Sequence, residues 1–321
     1  MMISFIIIGK NEANTLKMCI DSVLTSVKYN QIKYFEIVYV DSQSTDNSLD
    51  IAKQFSNIQI FQIIGTCNAA IARNIGAKES KGKILCFLDA DMELDKDFLK
   101  KIIKNNQLIY PFISGQIQNI FYNNYQIWKK VDEKKINFES LKDKYFVTTG
   151  GYFIINRDLW FAVKGMKTKY RRSQDLDLGL RLSKKDFKLL RKKDLMVKHH
   201  TVDYQNKKRM WKMLFDKSLI YQTSLLYREH IFNKHIYPVI FRKSYTLIIL
   251  IISIILSLIN VYCIGIFFFL VLIRVVLQKN VKNNASIFDR LIYRILIDIF
   301  SLIGFFIFFP PKYELNYKKI I

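Results

Sequence analysis

The first 105 residues alternate short apolar segments with longer segments in which apolar residues recur at helical spacing. The pattern predicts strands at residues 4–8, 35–40, 58–63 and 84–88, and helices at 12–27, 47–55 and 68–78. Repeated strand–helix units of this length are typical of a parallel sheet with helices on both faces. Because the loops that follow parallel strands share one edge of the sheet, their polar residues are expected to lie together.

The fourth apolar segment ends in two carboxylates, Asp89 and Asp91. Residues at i and i+2 of an extended chain point the same way, so the two side chains are expected on one side. Carboxylate oxygens are the ligands that Mg²⁺ and Mn²⁺ prefer. The alternative is an Asp-rich turn that caps the next helix, since aspartate is favoured at turns and helix N-caps.

Other polar residues fall on the same predicted edge. Glu12 follows the first strand, Asp41 follows the second, and Arg73 lies on the third helix beside small residues that allow close approach of a ligand. Four clusters that converge on one edge indicate a ligand-binding site more strongly than any one cluster does. The sequence therefore predicts a site for an anionic ligand and a cation at this edge.

Two acidic residues and a histidine come later in the chain. Asp175 is predicted as a helix N-cap and Asp177 as a first-turn carboxylate, both favourable at the positive end of a helix. His199 and His200 follow a predicted strand at 195–198, where a neutral imidazole could bind a metal or a phosphate. A pair of surface histidines is the alternative interpretation.

The formal net charge of the 321-residue chain is +23, which predicts acidic partners such as nucleic acid, anionic lipid or phosphorylated small molecules. Half of the residues are hydrophobic, which excludes a disordered chain. The four cysteines form no CxxC pair, so the pattern indicates neither a zinc site nor a disulfide framework. We therefore expect the protein to lie in a reduced, cytosolic environment.

The character of the chain changes after residue 203. Residues 204–243 are predicted as a basic amphipathic linker on an anionic membrane surface. Residues 244–273 carry no charge, and this run is too long for one untilted membrane pass and short for two. A hairpin that turns near Asn260 would keep the basic residues at both of its ends on the cytoplasmic side.

The last apolar segment, residues 287–309, contains Arg290, Arg294 and Asp298. Their spacing of four places them on one face of a helix. Such a charged face is typical of a helix that lies in the membrane interface rather than one that crosses the bilayer.

The ordered set of motifs resembles the family 2 glycosyltransferases, which adopt the GT-A fold. The resemblance covers about residues 3–200 and rests on four segments: 6–12 (IIIGKNE), 40–48 (VDSQSTDNS), 72–91 and 174–182 (QDLDLGLRL). It implies an α/β fold with a GT-A-like, doubly wound, mostly parallel sheet and helices on both faces. The hydropathy of the later residues predicts that C-terminal hydrophobic membrane helices follow this domain.

The resemblance also implies roles for the residues that bind the donor. Asp41 would recognise the base of a nucleotide, and Glu12 would line the base and ribose pocket. Arg73 would approach the nucleotide or its diphosphate. Asp89 would face the ribose and the metal, and Asp91 would hold the divalent cation, Mg²⁺ or Mn²⁺, that bridges the two phosphates.

Two further roles follow from the resemblance. Asp175 matches the catalytic base of the family, and His199 is similar to a histidine that contacts the diphosphate or the metal. The family commonly has an acidic pair at this point, whereas this chain has Gln174, so Asp177 remains the alternative base.

These features predict a metal-dependent, inverting glycosyltransferase that moves a sugar from a nucleotide diphosphate donor, with a UDP-sugar expected, to a lipid-linked or otherwise membrane-presented acceptor. Glycan or polysaccharide biosynthesis is the expected setting. Transfer to a polyprenyl phosphate is one alternative, and a non-catalytic nucleotide-sugar-binding membrane subunit is another. No nucleic-acid recognition motif accompanies the basic charge, so nucleic acid is not an expected partner.

The predicted organisation has three parts. Residues 1–203 are the catalytic domain, 204–243 the basic linker, and 244–321 the hydrophobic membrane-associated region. The expected location is the membrane, with the catalytic domain on the cytoplasmic face.

Overall fold

The computed structural model describes residues 1–122, 130–136, 142–202, 211–212, 214, 220–278 and 285–321, without the side chains of 130–136, 220 and 221. Its residues divide into two compact units. The first contains Met1–Asp203 and Lys312–Ile321, and the second contains Tyr204–Pro311. In chain order, the second unit is therefore inserted between two parts of the first.

The first unit consists of a large sheet and the helices that cover it. Its strands are β1 (Ile3–Gly9), β2 (Phe35–Asp41), β3 (Ile58–Ile63), β4 (Ile84–Asp89), β5 (Met92–Leu94), β6 (Ile103–Lys104), β7 (Gln107–Leu108), β8 (Phe112–Tyr122), β9 (Lys130–Ile136), β10 (Lys144–Phe146), β11 (Phe153–Asn156), β12 (Leu189–Val202) and β13 (Tyr317–Lys319). Its helices are α1 (Leu16–Tyr29), α2 (Ser48–Lys53), α3 (Ala69–Glu79), α4 (Phe98–Ile102), α5 (Arg157–Ala162) and α6 (Gln174–Ser183).

The central part of the sheet is parallel. The strand order along the main path is β10-β12-β8-β11-β4-β1-β2-β3-β13, and β1 pairs in parallel with both β2 and β4. Successive connections from β1 run first to one side, through β2 and β3, and then back to β4 on the other side. The order of strands thus reverses between β1 and β4, where open α/β sheets form their ligand-binding crevice.

Both faces of the sheet are covered. Alternate residues of β1 belong to different hydrophobic clusters, with Phe5 and Ile7 in one and Ile6 and Ile8 in the other. Since side chains alternate across a strand, this division shows that apolar groups pack on both sides of the sheet. The predicted mostly parallel, doubly wound sheet is confirmed.

The second unit is helical in the part of the chain that the structure describes. Its helices are α7 (Ile220–His230), α8 (Tyr237–Lys243), α9 (Tyr245–Ser257), α10 (Ile264–Leu277) and α11 (Ile287–Ile307), with single 3₁₀ turns at Lys234–Ile236 and Val261–Cys263. Arg274 near the end of α10 donates to Thr246 at the start of α9, 2.9 Å away. The two helices therefore form an antiparallel hairpin, and its turn is capped by Asn260, whose side chain accepts from the Tyr262 amide.

No helix within the described ranges is at once long enough and apolar enough to cross a membrane alone. One pair, residues 234–243 together with Tyr245–Ser257, satisfies length and composition jointly but is bent by 89° at its break. Membrane association therefore stays a prediction. Within the basic linker predicted at 204–243, most of residues 204–219, including Lys207, Lys208, Arg209 and Lys217, lie outside the described residues.

Two expectations for the C-terminal third differ from the structure. Residues 312–321 are not part of the hydrophobic region, because β13 pairs antiparallel with β3 at the edge of the large sheet. The charged face of α11 is not directed to the outside either. Arg294 donates to Thr246 of α9 and contacts Asp298, which is buried. The face is turned inward because its charged groups have these partners within the unit.

Candidate active site

Three carboxylates lie at the reversal point of the sheet. Asp89 ends β4 opposite Ile8 of β1, and the following amide, of Ala90, donates to the Ile8 carbonyl at 2.8 Å. Glu12 lies in the loop after β1. Burial, followed by the charge of Asp91, raises the pKa of Glu12 to about 8, and burial also raises the pKa of Asp89. The protein thus concentrates negative charge where a cationic or protonated partner would relieve it.

His199 connects β12 to this acidic group. Its Nε2 lies 3.1 Å from Asp91 Oδ2, and its Nδ1 lies 2.8 Å from Asn119 Oδ1 on β8. Burial lowers the pKa of His199, but the hydrogen bond and charge of Asp91 outweigh that effect and raise it. Asn119 therefore fixes the orientation of the imidazole toward Asp91.

His200 points to the opposite side of the strand, as adjacent strand residues do. It is buried, with Nδ1 2.8 Å from the Tyr122 hydroxyl and Nε2 2.7 Å from Glu93 Oε1. Both ring nitrogens are thus engaged away from Asp91. Of the two neighbouring histidines, only His199 belongs to the acidic site, and both lie inside β12 rather than after a strand that ends at residue 198.

The guanidinium group of Arg73 is buried against the Asp89 carboxylate. Only 3% of its side chain is exposed, and its Nη2 contacts Asp89 Oδ1 at 2.5 Å and donates to the Gly151 carbonyl at 3.1 Å. These contacts position the Asp89 carboxylate, and the approach of Arg73 to a nucleotide or its diphosphate stays a prediction. Gly151 has no Cβ at the point where one would overlap the Asp89 carboxylate.

Asp41 is completely buried in the structure. Its Oδ2 accepts from the Ser44 amide at 3.0 Å and from Gln62 at 3.1 Å, while its Oδ1 accepts from the Tyr39 hydroxyl at 3.3 Å. Asp41 thereby connects the loop after β2, through the Ser44 amide, with Gln62 of β3. Its recognition of a nucleotide base stays a prediction.

The loop of residues 147–151 reaches from the acidic group to α6. Thr148 Oγ1 donates to Asp175 Oδ2 at 2.9 Å, and Gly151 at the other end of the loop contacts Asp89. Gly179 of α6 is needed for this approach, since a Cβ there would overlap the Val147 carbonyl. One short loop therefore connects the carboxylate of α6 with those at the sheet reversal.

The two acidic residues of α6 have different environments. Asp177 is fully buried and contacts Arg181 at 2.7 Å and Lys167 at 3.5 Å. Asp175 is only half-buried and faces Thr148. The structure therefore favours Asp175 over Asp177 as the group that can meet a substrate. Neither is the N-cap of α6, a position taken by Ser173.

Three positioning residues had weak signals or none in the sequence. Thr148 lies in a Thr-Thr-Gly-Gly run that indicates a tight or ligand-contacting loop, but the pattern does not give its partner. Asn119 is a polar residue inside an apolar strand, which hints at a buried contact. Arg191 gives no local signal. It is buried and donates to the Thr149 carbonyl at 3.1 Å, which supports the same loop.

The acidic group is suited to a divalent cation. Asp91 Oδ1 is buried without a hydrogen-bond partner among the described residues, and His199 Nε2 faces the other oxygen of the same carboxylate. No group of three or more His, Cys, Asp or Glu side chains in the described ranges is arranged to enclose a metal ion. Mg²⁺ is commonly held by one or two carboxylates together with substrate phosphates, so Asp91 and its neighbours fit that mode.

Comparison with known proteins shows that parts of this chain are similar to glycosyltransferases. Residues 4–161 match the family described as Glycosyl transferase family 2. Glycosyltransferase AglE of Haloferax volcanii is 37% identical over 103 residues, covering 31% of this chain and 33% of AglE. The amylovoran biosynthesis glycosyltransferase AmsB of Erwinia amylovora is 26% identical over 203 residues, covering 57% of this chain and 66% of AmsB.

Among solved structures, S. aureus TarS 1–349 aligns with a TM-score of 0.50 at 15% sequence identity, covering 74% of each chain. At this identity the likeness shows a shared fold. The alignments span a third of AglE and just under two thirds of AmsB.

Proposed function

Because residues 4–161 match the glycosyl transferase family 2 model, we propose that the protein is an inverting glycosyltransferase with a nucleotide diphosphate sugar as donor. We further propose a UDP-sugar as this donor and a lipid-linked or membrane-presented molecule as the acceptor. The amylovoran pathway named for AmsB is consistent with a role in polysaccharide or glycan biosynthesis.

The observation that carries this proposal is the connection between two groups of carboxylates. The loop of residues 147–151 contacts Asp89 through Gly151 and Asp175 through Thr148. A donor diphosphate at the acidic group would thus have a half-exposed carboxylate held nearby for the acceptor. Inverting transfer needs these two functions in one site, since the acceptor hydroxyl attacks as the diphosphate leaves.

The residues of the chain divide the chemistry between them. Asp91 and His199 would hold a divalent cation with Asp89 beside them, and that cation would neutralise the negative charge on the leaving diphosphate. Arg73 keeps the Asp89 carboxylate in place. Asp175 accepts the proton of the attacking hydroxyl, because a sugar hydroxyl is a poor nucleophile near neutral pH.

A polyprenyl phosphate acceptor is the second candidate for the reaction. An ionised phosphate needs no general base, so this acceptor makes Asp175 dispensable. The half-exposed position of Asp175 and its hydrogen bond from Thr148 favour a hydroxyl acceptor instead. The two candidates therefore differ in a single measurable property, which is the dependence of the transfer rate on Asp175.

The direct test is donor turnover by the full chain with a panel of nucleotide sugars and extracted membrane lipids, with products identified by mass spectrometry. We expect transfer with Mg²⁺ or Mn²⁺, its loss with a chelator, and its loss in Asp91→Ala. The matched control is Asp158→Asn, an exposed carboxylate of α5, which should retain full activity. Absence of transfer with every donor would support the non-catalytic subunit instead.

The membrane location is part of the same proposal. The hydrophobic second unit would hold the site at the cytoplasmic surface, where lipid-linked acceptors are present. Activity of the full chain in the membrane fraction of disrupted cells, compared with the soluble fraction, tests this location.

A further inference from the structure

The second unit buries polar groups and exposes apolar ones. Asp298, Thr246 and Ser301 are nearly or fully buried among its helices. Its outer surface carries large apolar side chains along α9, α10 and α11, namely Ile252, Ile255, Phe269, Val276, Leu277, Phe288, Phe306 and Ile307, each at least half exposed. So many exposed large apolar side chains on three helices indicate contact with something other than water.

The most exposed apolar residues lie at the turn of the α9–α10 hairpin. Leu258, Ile259 and Tyr262 are 85%, 86% and 85% exposed. No charged residue occurs between Ser244 and Ile273, so the whole length of the hairpin beyond its base is uncharged. The hairpin therefore has an apolar tip that neither its own helices nor nearby charges shield.

The opposite end of the hairpin carries an arginine cluster, defined here as Arg274, Arg290 and Arg294. Arg274 and Arg294 both donate to Thr246 Oγ1, each at 2.9 Å, and both donate to the Lys243 carbonyl, at 3.1 and 3.0 Å. Two cations thus share neutral acceptors, and the carboxylate of Asp298 lies 3.3 Å from Arg294 and is hydrogen-bonded to Thr246.

Arg290 joins the same end by donating to the Val275 carbonyl at 3.3 Å. Helices α9, α10 and α11 carry three guanidinium groups and two carboxylates, Asp289 and Asp298, and Lys243 adjoins the same end, so positive charge is in excess at the base of the hairpin. Guanidinium groups bind phosphate oxygens in a fixed fork geometry, so phosphate is the anion that this base fits.

The length of the hairpin matches half of a bilayer. Helices α9 and α10 contain 13 and 14 residues. At 1.5 Å per residue each extends about 20 Å. A whole bilayer with its headgroups is about 40–45 Å thick, so this length corresponds to roughly one leaflet. Both ends of the hairpin would then remain at the same membrane surface, at the level of the lipid phosphates.

We propose that the α9–α10 hairpin is a one-leaflet membrane anchor. Its tip enters the acyl region, and the arginine cluster binds the phosphate groups of anionic phospholipids at the surface. The anchor sharpens the membrane location in the proposed function, but it rests on the second unit alone and requires no catalysis.

Flotation with lipid vesicles tests the tip. The full chain is mixed with phosphatidylcholine vesicles containing or lacking phosphatidylglycerol, and the paired variant Leu258→Asp with Ile259→Asp is compared with wild type. We expect at least a tenfold loss of bound protein. The matched control, Ile64→Asp with Ile109→Asp, changes two exposed apolar residues of the first unit and should bind like wild type. Wild-type binding by the tip variant would overturn the proposal.

Dependence on phosphatidylglycerol tests the arginine cluster. Arg274→Gln with Arg294→Gln should lose most of the increase in binding that phosphatidylglycerol gives to wild type, while Arg274→Lys with Arg294→Lys retains part of it. Circular dichroism verifies that both variants remain helical. Loss of an exposed and a half-buried arginine of the first unit, Arg171→Gln with Arg172→Gln, provides the control for net charge. An equal loss in that control would overturn the assignment of the phosphates to this cluster.

Thiol labelling tests the depth. Tyr262→Cys is introduced into a chain with Cys67→Ser and Cys263→Ser, and a membrane-impermeant maleimide is added outside the vesicles or trapped inside them. A one-leaflet anchor protects the tip from both reagents. Labelling from inside would show a spanning hairpin, and labelling from outside would show no insertion; either result overturns the proposal.

Donor turnover in detergent separates this proposal from the proposed function. The tip variant should turn over donor like wild type under these conditions, because detergent replaces the leaflet. A wild-type chain that floats with vesicles but turns over no donor would leave the anchor standing and remove the proposed function.

Discussion

Phenylalanine and aspartate occupy opposite environments in the two units. In the first unit Phe87 is fully buried beneath the sheet and Asp175 is half-exposed at its edge. In the second unit Phe306 is 67% exposed and Asp298 is 1% exposed. Exposed large apolar side chains are therefore concentrated in the second unit, although the first unit also exposes some, such as Ile64. The carboxylates also differ in surroundings, since those at the sheet reversal are proposed to bind a ligand, whereas Asp298 contacts Arg294 inside the helical unit.

The difference also explains why a charged residue in the sequence predicts exposure in the first unit but not in the second. In the first unit a carboxylate that follows a buried strand lies at the rim of the sheet, where a ligand can reach it. In the second unit a charged residue on an apolar helix faces its neighbours, because the outer surface is the apolar one. A charged helical face is therefore not by itself a sign of exposure to water.

The largest expected effect concerns the carboxylate of the first unit. Asp175→Asn should lower the rate of transfer by about 10²–10⁴ while donor affinity and thermal stability remain near wild type, because only proton acceptance is lost. Steady-state kinetics and isothermal titration with the donor measure the two properties. A full transfer rate in this variant would remove Asp175 as the base and favour an ionised phosphate acceptor.

Asp298 should behave in the opposite way. Asp298→Ala leaves the guanidinium of Arg294 without its buried carboxylate, which we expect to lower the free energy of unfolding by about 3–5 kcal/mol. Thermal unfolding in detergent micelles measures the loss. Asp50→Ala removes the exposed partner of Lys53 and should change stability by less than about 1 kcal/mol. Equal stability of these two variants would contradict a structural role for the buried carboxylate of Asp298.

A pair of phenylalanine substitutions sharpens the contrast in apolar packing. Phe87→Ala creates a cavity beside Phe153 and Trp160 and should cost about 3–5 kcal/mol of stability. Phe306→Ala removes an exposed ring and should cost about 0.5 kcal/mol or less. Vesicle flotation should show the reverse order, with weaker binding for Phe306→Ala. A loss of membrane binding that is confined to Phe87→Ala would contradict the inverted surface of the second unit.

A separate expected effect is the pH dependence of stability that Glu12 imparts. Its folded pKa of about 8 lies above the ordinary value of 4.5, so the folded state holds this proton more tightly than the unfolded chain does. The associated stability is present at low pH and is lost as pH rises from about 4.5 to 8, by at most about 1.4 kcal/mol per pH unit.

Glu12→Gln should therefore gain stability relative to wild type between pH 5 and pH 8. Melting temperatures measured with a chelator present, so that no divalent cation compensates the carboxylates, provide the measurement. Glu314→Gln, an exposed carboxylate of the C-terminal segment, is the control and should show no such trend. A constant difference between Glu12→Gln and wild type across this range would contradict the raised pKa.

Much of the first unit follows from local sequence alone. The four predicted strands match β1 to β4 to within one residue at each end, because apolar runs buried on both faces of a sheet are local signals. The carboxylates after β1 and β4 were placed correctly at one edge for the same reason, since chain order fixes which loops follow parallel strands. The helical hairpin with its turn at Asn260 was also predicted from the sequence, because charged residues lie at both ends of an uncharged run.

The partners of the polar side chains came only from the tertiary structure. Arg73 contacts a carbonyl 78 residues away, and Thr148 reaches Asp175 across 27 residues. Such pairs leave no periodic trace in the sequence. The burial of Asp41, the different environments of Asp175 and Asp177, and the contact between Asn119 and His199 depend on partners from distant segments, so no local pattern contains them.

The sequence by itself thus determined which residues share a strand, a helix face or a sheet edge, because these relations follow from the repeat of the backbone. The residues that pack against each face were determined by the tertiary structure alone. Helical spacing placed Arg290, Arg294 and Asp298 together, but only the position of α9 and α10 shows that this face is turned inward. The return of β13 to the edge strand β3 is likewise a long-range pairing, since three residues carry too little pattern to specify a partner.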